Sequence, residues 1–352
     1  MPPALELIWS RTISPFRDAI RFARKIPRSR LPALTAVLVL WCSSARAQTN
    51  PPPLPAGVTL NPDAGRGGLL IIPLRLEDGE ELPMIVDTGA PGTLLDQSLA
   101  PNLGKQLGTI TIYSFLGKQE AGIYAAPKFY LGNVRLLGGS NVLTTDLKKL
   151  LSGYHSPARG ILGMDCLRHY CLQLDFAAGK LRFLDANHFK ADGLGRAFPL
   201  ELAADVQHAG VPVIQHAGLL GGAGTNTVID TGNNGDGMAS GRAIRHHAAG
   251  SYSGGLVKRF KHFLAVKGLV NRGVGNLECV WAGNTYTNLA VSRGPRDFPD
   301  WIGLSFLARH LVTLDFPQRT MYLKQTSIGP LANAGTGSTT TNLVQAPVKT
   351  SQ

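Results

Sequence analysis

Metal-binding patterns are scarce in the sequence. Only 4 Cys and 9 His occur among its 352 residues, and no His/Cys spacing is that of a zinc site. The adjacent pair His246-His247 is more typical of a surface loop, since a metal needs further ligands that cannot be assigned. We therefore expect no metal and no other cofactor.

A long apolar run is also lacking. The run Leu31–Cys42 is too short to span a bilayer comfortably, which argues against a permanent anchor. It follows a basic stretch and precedes small residues, which is the layout of a secretory signal peptide. We expect residues 1–47 to be removed by cleavage after Ala47. The mature protein is then exported to the periplasm or the extracellular space, with no stable membrane span. A lipoprotein processed at Cys42 is less favoured because bulky Trp41 precedes it.

Acidic residues are few, and the 23 Asp and Glu leave a net charge of +12 against 35 Lys and Arg. Residues 1–47 carry eight of the basic and two of the acidic residues, so the remainder carries only +6. The remaining basic residues are dispersed, apart from Lys258–His262, and no recognised nucleic-acid motif accompanies them. Such a short cluster is typical of a solvated strand or loop edge. Nucleic acid is therefore not an expected partner.

Glycine and proline are abundant, at 41 and 23 residues, with short Val/Ile/Leu runs between them. This pattern indicates many short strands joined by turns, and predicts an all-β protein. Residues 48–66 are Pro-rich and predict an extended linker. Residues 325–352 are rich in Gly, Ser, Thr and Asn, and predict a disordered tail.

The region between linker and tail repeats itself. Two apolar strands each end in an Asp-Thr-Gly triplet, and the triplets begin at Asp87 and Asp230, 143 positions apart. An apolar-apolar-Gly element recurs at an interval of 140 between Gly163 and Gly303, and Leu174-Asp-Phe176 recurs as Leu314-Asp-Phe316 at the same interval. Recurrence in one order indicates a duplication. We expect an N-terminal lobe over 67–190 and a C-terminal lobe over 191–324, related by a pseudo-twofold axis.

Such an axis would place Asp87 beside Asp230. Two adjacent carboxylates cannot both ionise readily, so they share a proton and titrate as a pair. The ionised partner can deprotonate a water while the protonated partner donates to a carbonyl, which is the requirement of amide hydrolysis. The remaining triplet residues would support the pair, since Gly permits close approach and Thr can hydrogen-bond across the axis. These residues are Thr88, Gly89, Thr231 and Gly232.

Two stretches also resemble a known family. Asp87-Thr-Gly-Ala-Pro-Gly-Thr-Leu-Leu-Asp96 resembles the active-site loop of the retroviral aspartic peptidases. Gly160-Ile-Leu-Gly-Met-Asp-Cys-Leu167 is similar to the apolar-apolar-Gly element of bacterial aspartyl proteases. From Gly67 to Lys324 the sequence thus resembles the pepsin/retropepsin superfamily of aspartic peptidases.

The resemblance implies a bilobal fold of two β-barrel lobes with a cleft between them. It implies an aspartic endopeptidase that hydrolyses peptide or protein substrates through Asp87 and Asp230. A monomer is expected because the second triplet is supplied in the same chain. The apolar-Gly elements would pack behind the catalytic loops, and they comprise Ile161, Leu162, Gly163, Trp301, Ile302 and Gly303. The best-placed hairpin for a substrate-covering flap is Thr109–Gly117, with Tyr113, although an ordinary hairpin fits equally well.

The second loop departs from the family pattern. Asn233 follows its triplet where Ser, Thr or Ala is common, and an additional acid stands at Asp236. We expect Asp236 to face solvent, as Asp in a Gly-flanked loop generally does, the alternative being that it perturbs the pair. The departure keeps open a second function, in which a catalytically silent relative binds a peptide, protein or glycan in the cleft.

Three cysteines remain after removal of the signal peptide. In an exported protein Cys166 and Cys171 could pair and leave Cys279 alone. The alternative is that all three are buried thiols.

Overall fold

The computed structural model describes residues 53–114, 117–152, 154, 156–203, 210–220, 226–241, 243–244, 273–294 and 299–332. The predicted signal peptide, His246-His247 and the Lys258–His262 cluster lie outside these residues. No helix in the described ranges is long and apolar enough to cross a bilayer.

Short strands are the predominant secondary structure of the described residues, so the prediction of a mainly β protein is confirmed. The strands up to the middle of the chain are β1 Val58–Thr59, β2 Ile71–Arg75, β3 Glu81–Val86, β4 Leu94–Asp96, β5 Gly108–Ser114, β6 Gly117–Ala125, β7 Tyr130–Leu131, β8 Val134–Arg135, β9 Asn141–Thr145, β10 Gly160–Leu162, β11 Cys171–Asp175 and β12 Lys180–Leu184. The later strands are β13 Arg196–Pro199, β14 Glu201–Leu202, β15 Pro212–Ile214, β16 Thr227–Asp230, β17 Gly237–Ala239, β18 Gly273–Trp281, β19 Asn284–Arg293, β20 Asp300–Gly303, β21 His310–Asp315 and β22 Thr320–Gln325.

The described helices are short. They are α1 Leu147–Leu150, α2 Met164–Leu167 and α3 Leu304–Leu307, together with a 3-10 helix at Gln97–Leu103. The helices α2 and α3 occupy equivalent places, since each directly follows the Gly of an apolar-Gly element.

The strands form three sheets whose orders reflect the duplication. The first is β5-β6-β9-β4-β10-β3-β2-β7-β8, and the second is β14-β15-β16-β20-β17-β19-β18. When the second order is read from its other end, its strands β18-β19-β17-β20-β16-β15 correspond one by one to β6-β9-β4-β10-β3-β2 of the first. In both sheets, the strand that leads into Asp-Thr-Gly pairs in parallel with the strand of the apolar-Gly element. The third sheet, β1-β12-β11-β21-β22-β13, joins the two halves through the β11–β21 pair.

The expected β-barrels do not form. Each sheet order runs from one edge strand to another, so no sheet in the described part of the chain closes on itself. The reason lies in the last hairpin of each half. These hairpins, β11–β12 and β21–β22, are not part of the sheet that contains the triplet strand of their own half. They join each other through the β11–β21 pair in the six-stranded sheet.

The structure describes part of the predicted linker and the start of the predicted tail. Within the predicted linker, Val58–Thr59 pairs with β12, and Leu60 and Ala64 are buried in the core. Burial of these apolar side chains favours an ordered path over an extended linker. At the start of the predicted tail, the Thr326 and Ser327 amides donate to the Arg309 carbonyl.

The repeated Leu-Asp-Phe has a local structural reason. Asp175 and Asp315 each end a strand, and each carboxylate accepts a hydrogen bond from the backbone amide three residues later, at 2.9 and 3.1 Å. The carboxylate thereby holds the turn that leads into the next strand. The following Phe176 and Phe316 are buried in the core.

A histidine side chain, that of His310, is buried in the core. His310 is 1% exposed; its Nδ1 donates to the Phe306 carbonyl at 3.1 Å, and its Nε2 accepts from the Tyr286 hydroxyl at 2.8 Å. Burial, and to a lesser degree the charge of Arg309, lowers the pKa of His310 to about 4. The folded state therefore holds this ring neutral at pH values where the unfolded chain protonates it.

We expect this ring to weaken the fold in acid. Because the folded pKa of about 4 lies below the ordinary histidine value of 6.5, the free energy of unfolding falls as the pH drops through this window and changes no further below it. At 1.36 kcal/mol per pKa unit, the loss reaches about 3 kcal/mol. Urea unfolding of the wild type and of His310→Gln, each at a pH above and a pH below the two pKa values, measures this loss of stability. The variant should lose less stability than the wild type by that amount. An equal loss in His310→Gln would contradict the assignment.

Candidate active site

The two triplets meet at the ends of equivalent strands. Asp87 directly follows β3, and Asp230 is the last residue of β16. The two carboxyl groups are hydrogen-bonded to each other. Asp230 is 4% exposed, whereas Asp87 is partly exposed. The structure therefore brings together the two residues that the sequence singles out.

One oxygen of each carboxyl group is bound by backbone amides of its own triplet loop. The Gly89 amide donates to Asp87 Oδ1 at 2.8 Å, and the Gly232 and Asn233 amides donate to Asp230 Oδ1 at 2.9 and 3.2 Å. Burial raises the pKa of both carboxyl groups, and the neighbouring Asp87 charge raises that of Asp230 further. Such a pair retains one proton over a range in which isolated carboxyl groups would both be ionised.

Glycine is required in both triplets by the closeness of the loops. A Cβ at Gly89 would lie 2.5 Å from Asp230 Oδ1, and a Cβ at Gly232 would lie 2.3 Å from Asp87 Cγ. Contacts of this length are far inside van der Waals distance. Only glycine lets each backbone stand directly against the opposite carboxyl group.

The threonines join the loops by a reciprocal set of hydrogen bonds. The Thr88 amide donates to Thr231 Oγ1 at 3.0 Å, and the Thr231 amide donates to Thr88 Oγ1 at 3.1 Å. Each hydroxyl in turn donates to a carbonyl of the opposite strand, Ile229 at 2.6 Å and Val86 at 2.7 Å. Both threonines are fully buried. Four hydrogen bonds between the two carboxyl-bearing loops therefore fix their relative position.

The apolar-Gly elements lie behind the loops. Ile161 and Leu162 are in β10, and Trp301 and Ile302 are in β20; all four are buried. The Leu162 carbonyl accepts the Asp87 amide at 3.1 Å. A Cβ at Gly163 would lie 2.4 Å from the Gly92 carbonyl oxygen, and a Cβ at Gly303 would lie 2.3 Å from that of Gly235. Each loop thus rests directly on a glycine of the neighbouring element.

The expectation that Asp236 faces solvent is wrong. Asp236 is 4% exposed, and its two carboxylate oxygens accept from Arg309 Nη2 at 2.8 and 3.0 Å. It also accepts from the Ala290 amide at 2.7 Å. A Gly-flanked loop predicts exposure only when no buried cation is available, and Arg309 supplies one 73 positions away. The available signal was an arginine within the run Leu307–Val312, which is apolar apart from Arg309 and His310.

Two further residues near the pair were not predicted. The Tyr154 hydroxyl donates to Asn234 Oδ1 at 3.2 Å, and the Asn234 amide group donates to the Gly67 carbonyl. Burial and the nearby Asp230 charge raise the pKa of Tyr154. The second loop is therefore tied to two segments of the first half. No sequence pattern marks Tyr154, because it stands in an irregular stretch before β10.

The predicted flap hairpin forms as the β5–β6 pair, in which Tyr113 is opposite Lys118. The side chain of Tyr113 and residues 115–116 lie outside the described part, so the role of Tyr113 stays a prediction.

Cys166, Cys171 and Cys279 are free and buried, which corresponds to the second of the two alternatives for the thiols. Burial raises the pKa of Cys171 to about 12 and that of Cys279 to about 11. Among the described residues, no group of three or more His, Cys, Asp or Glu is arranged to hold a metal ion.

Comparison with known proteins bears on the first half of this site. A search of curated proteins found no match to the chain. The family model described as aspartyl protease matches residues 72–166. The match runs from β2 to α2, and so contains the Asp87 loop and the first apolar-Gly element but not the Asp230 loop. Over residues 72–166 the chain matches the aspartyl protease family, which confirms the predicted resemblance to aspartic peptidases.

Proposed function

We propose that the protein is an aspartic endopeptidase that hydrolyses peptide bonds through Asp87 and Asp230. The observation that carries the proposal is the hydrogen-bonded pair of carboxyl groups with raised pKa values. The aspartyl protease match over residues 72–166 supports protease-like chemistry and peptide substrates. Catalysis itself is our inference.

The chemistry follows from a pair that holds one proton. The ionised carboxylate takes a proton from a water molecule, whose oxygen attacks the scissile carbonyl carbon, while the protonated carboxyl donates to the carbonyl oxygen. The resulting diol then collapses: the carbon–nitrogen bond breaks, the amine leaves with a proton from the protonated carboxyl, and a diol hydroxyl gives its proton to the other carboxylate. The product is a carboxylic acid, and the pair again holds one proton. The triplet amides and the threonine bonds hold both carboxyl groups in place during this exchange.

The wider arrangement is also part of the proposal. The equivalent strand orders of the two halves and the β11–β21 pair that joins them support two lobes with a substrate cleft at the paired loops. A monomer suffices, since both carboxyl groups come from one chain. Residues 1–47 are proposed to direct export to the periplasm or the extracellular space.

A cleavage assay separates this function from the silent binding alternative. Purified mature protein is incubated with casein and with a mixed peptide library between about pH 3 and 7, with and without a statine-containing peptide inhibitor. We expect cleavage that the inhibitor blocks, detected as new amino termini by mass spectrometry. Peptide binding without new termini at any pH would support the silent alternative.

A further inference from the structure

A buried ion pair lies at the end of the second triplet loop. Arg309 is 0% exposed and Asp236 is 4% exposed. Besides the two bonds to Asp236, the guanidinium donates to the Thr287 and Ile328 carbonyls at 2.7 and 3.1 Å. Arg309 thus connects the triplet loop, strand β19 and the segment after β22.

The loop between Asp230 and Asp236 is bonded along its length to α3 and its neighbouring residues. The Leu304 amide donates to the Asn233 carbonyl at 2.6 Å, and the Ser305 amide donates to the Gly235 carbonyl at 3.0 Å. The Asp236 carbonyl accepts from the Gly303 amide at 3.0 Å. Asp236 is therefore the fixed end of a short segment whose other end is Asp230.

Strand β19 is shaped around the pair. Asn288 has a φ of 54°, which is uncommon for a residue with a side chain. On either side of it, the Thr287 carbonyl accepts from Arg309 and the Ala290 amide donates to Asp236. The strand thus presents an acceptor to the cation and a donor to the anion.

In the first half, the end of the triplet loop is anchored by a different residue type. Thr93 occupies the position equivalent to Asp236, and its Oγ1 donates to Asp165 Oδ1 at 2.7 Å and accepts from the Gly163 amide at 3.3 Å. A threonine therefore anchors the Asp87 loop without a buried charge pair.

Stability alone is a weak reason for the pair. Replacing a buried ion pair with apolar side chains of similar volume is often neutral or stabilising, because desolvation offsets the attraction. Among the described residues, Arg309 Nε has no hydrogen-bond partner, so desolvation of this guanidinium is not fully compensated. What the pair does supply is a set of six directional hydrogen bonds. Two join Arg309 to Asp236, three run from Arg309 to the Thr287, Asn288 and Ile328 carbonyls, and one runs from the Ala290 amide to Asp236.

We propose that Asp236 and Arg309 are positioning residues that hold Asp230 in register with Asp87. The pair acts through the loop and touches no reacting atom. The catalytic consequence rests on the proposed peptidase function, whereas the effect on the carboxyl pair does not.

The test removes the pair without leaving a buried charge. Asp236→Thr/Arg309→Met copies the threonine at position 93 and fills the arginine site with an apolar chain. Asp175→Thr/Arg182→Met is the matched control, because it deletes another Asp–Arg pair, at 3.0 Å in the six-stranded sheet. Both doubles are compared with the wild type for kcat, KM, urea stability and the titration of the Asp87 and Asp230 side-chain carbons by ¹³C NMR.

We expect the Asp236→Thr/Arg309→Met double to lose about 10- to 100-fold in kcat with KM nearly unchanged, since small displacements at a reacting centre have effects of this size. The two apparent pKa values of the carboxyl pair should move closer together, because coupling weakens as Asp230 shifts from Asp87. In the control variant, kcat and the separation of the two apparent pKa values should both match those of the wild type.

The titration decides the proposal independently of activity. An unchanged separation of the two pKa values would overturn it, whatever happens to kcat. A narrowed separation in a protein that cleaves no peptide would support positioning while the peptidase function fails. If the double does not fold, Asp236→Asn, which keeps an acceptor for the Ala290 amide, is titrated instead. Failure of both variants to fold would assign the pair a purely structural role and overturn the proposal.

Discussion

Asn in place of Asp230, or of Asp87, is expected to lower kcat/KM for peptide cleavage by at least about 10³-fold. An amide can neither take the proton from water nor supply one to the scissile carbonyl. Each single variant should be nearly as inactive as the double, because the two carboxyl groups act as a unit. Initial rates on a peptide that the wild type cleaves measure the effect.

The fold should survive this substitution. Asn has nearly the shape of Asp, and its oxygen can still accept the Gly232 and Asn233 amides that bind Asp230 Oδ1. The matched control is Asp315→Asn, since burial also raises the pKa of Asp315, which is 1% exposed in the six-stranded sheet. Its kcat/KM should stay close to that of the wild type. An Asp230→Asn enzyme that cleaves at the wild-type rate would refute the proposed mechanism.

The arrangement of strands was predictable to the extent that the sequence repeats. The paired triplets, apolar-Gly elements and Leu-Asp-Phe turns recur at nearly constant intervals. The structure places the triplets and the apolar-Gly elements at equivalent positions in two sheets of equivalent strand order, and the two Leu-Asp-Phe turns at the ends of paired strands in the third sheet. Each of these motifs has a local cause: a strand end, a glycine under a loop, or an aspartate that holds a turn. Because each cause acts over a few neighbouring residues, it is visible in the local sequence, and these motifs could be predicted.

No local sequence pattern shows whether a sheet closes into a barrel. Whether an edge strand pairs with its own sheet or with another is decided by contacts between distant segments, as in the pairing of Leu174 with Val312. The periodicity of β11 and β21 indicates strands but not their partners. The prediction of barrels therefore relied on the resemblance alone, and it was wrong.

The burial of Asp236 was missed for a related reason. Its composition-based environment, a loop of Gly and Asn, indicates exposure, whereas its partner Arg309 follows a helix 73 positions later. An arginine in an apolar run and an unmatched aspartate in a loop are each unremarkable alone. Their combination would have been the signal for a buried pair.

Ala in place of Gly232 tests the closeness of the two loops most directly. The added Cβ would lie 2.3 Å from Asp87 Cγ and 2.5 Å from each of its carboxylate oxygens. The Asp87 side chain is held by the Gly89 amide and by Asp230, so either the carboxyl group or the second loop must move. We expect kcat/KM to fall at least about 100-fold, and stability to fall by about 1–3 kcal/mol.

The first triplet loop offers a control for this substitution. Gly92 lies five residues after Asp87, and a Cβ there would meet nothing within 4 Å. Gly92→Ala should therefore keep most of the wild-type kcat/KM, whereas Gly89→Ala, whose Cβ would meet Asp230 Oδ1 at 2.5 Å, should resemble Gly232→Ala. Steady-state kinetics and urea unfolding of the three variants separate a specific clash from a general intolerance of alanine. Full activity of Gly232→Ala would mean that the loops stand further apart in solution, and a shared proton between Asp87 and Asp230 could then not be maintained.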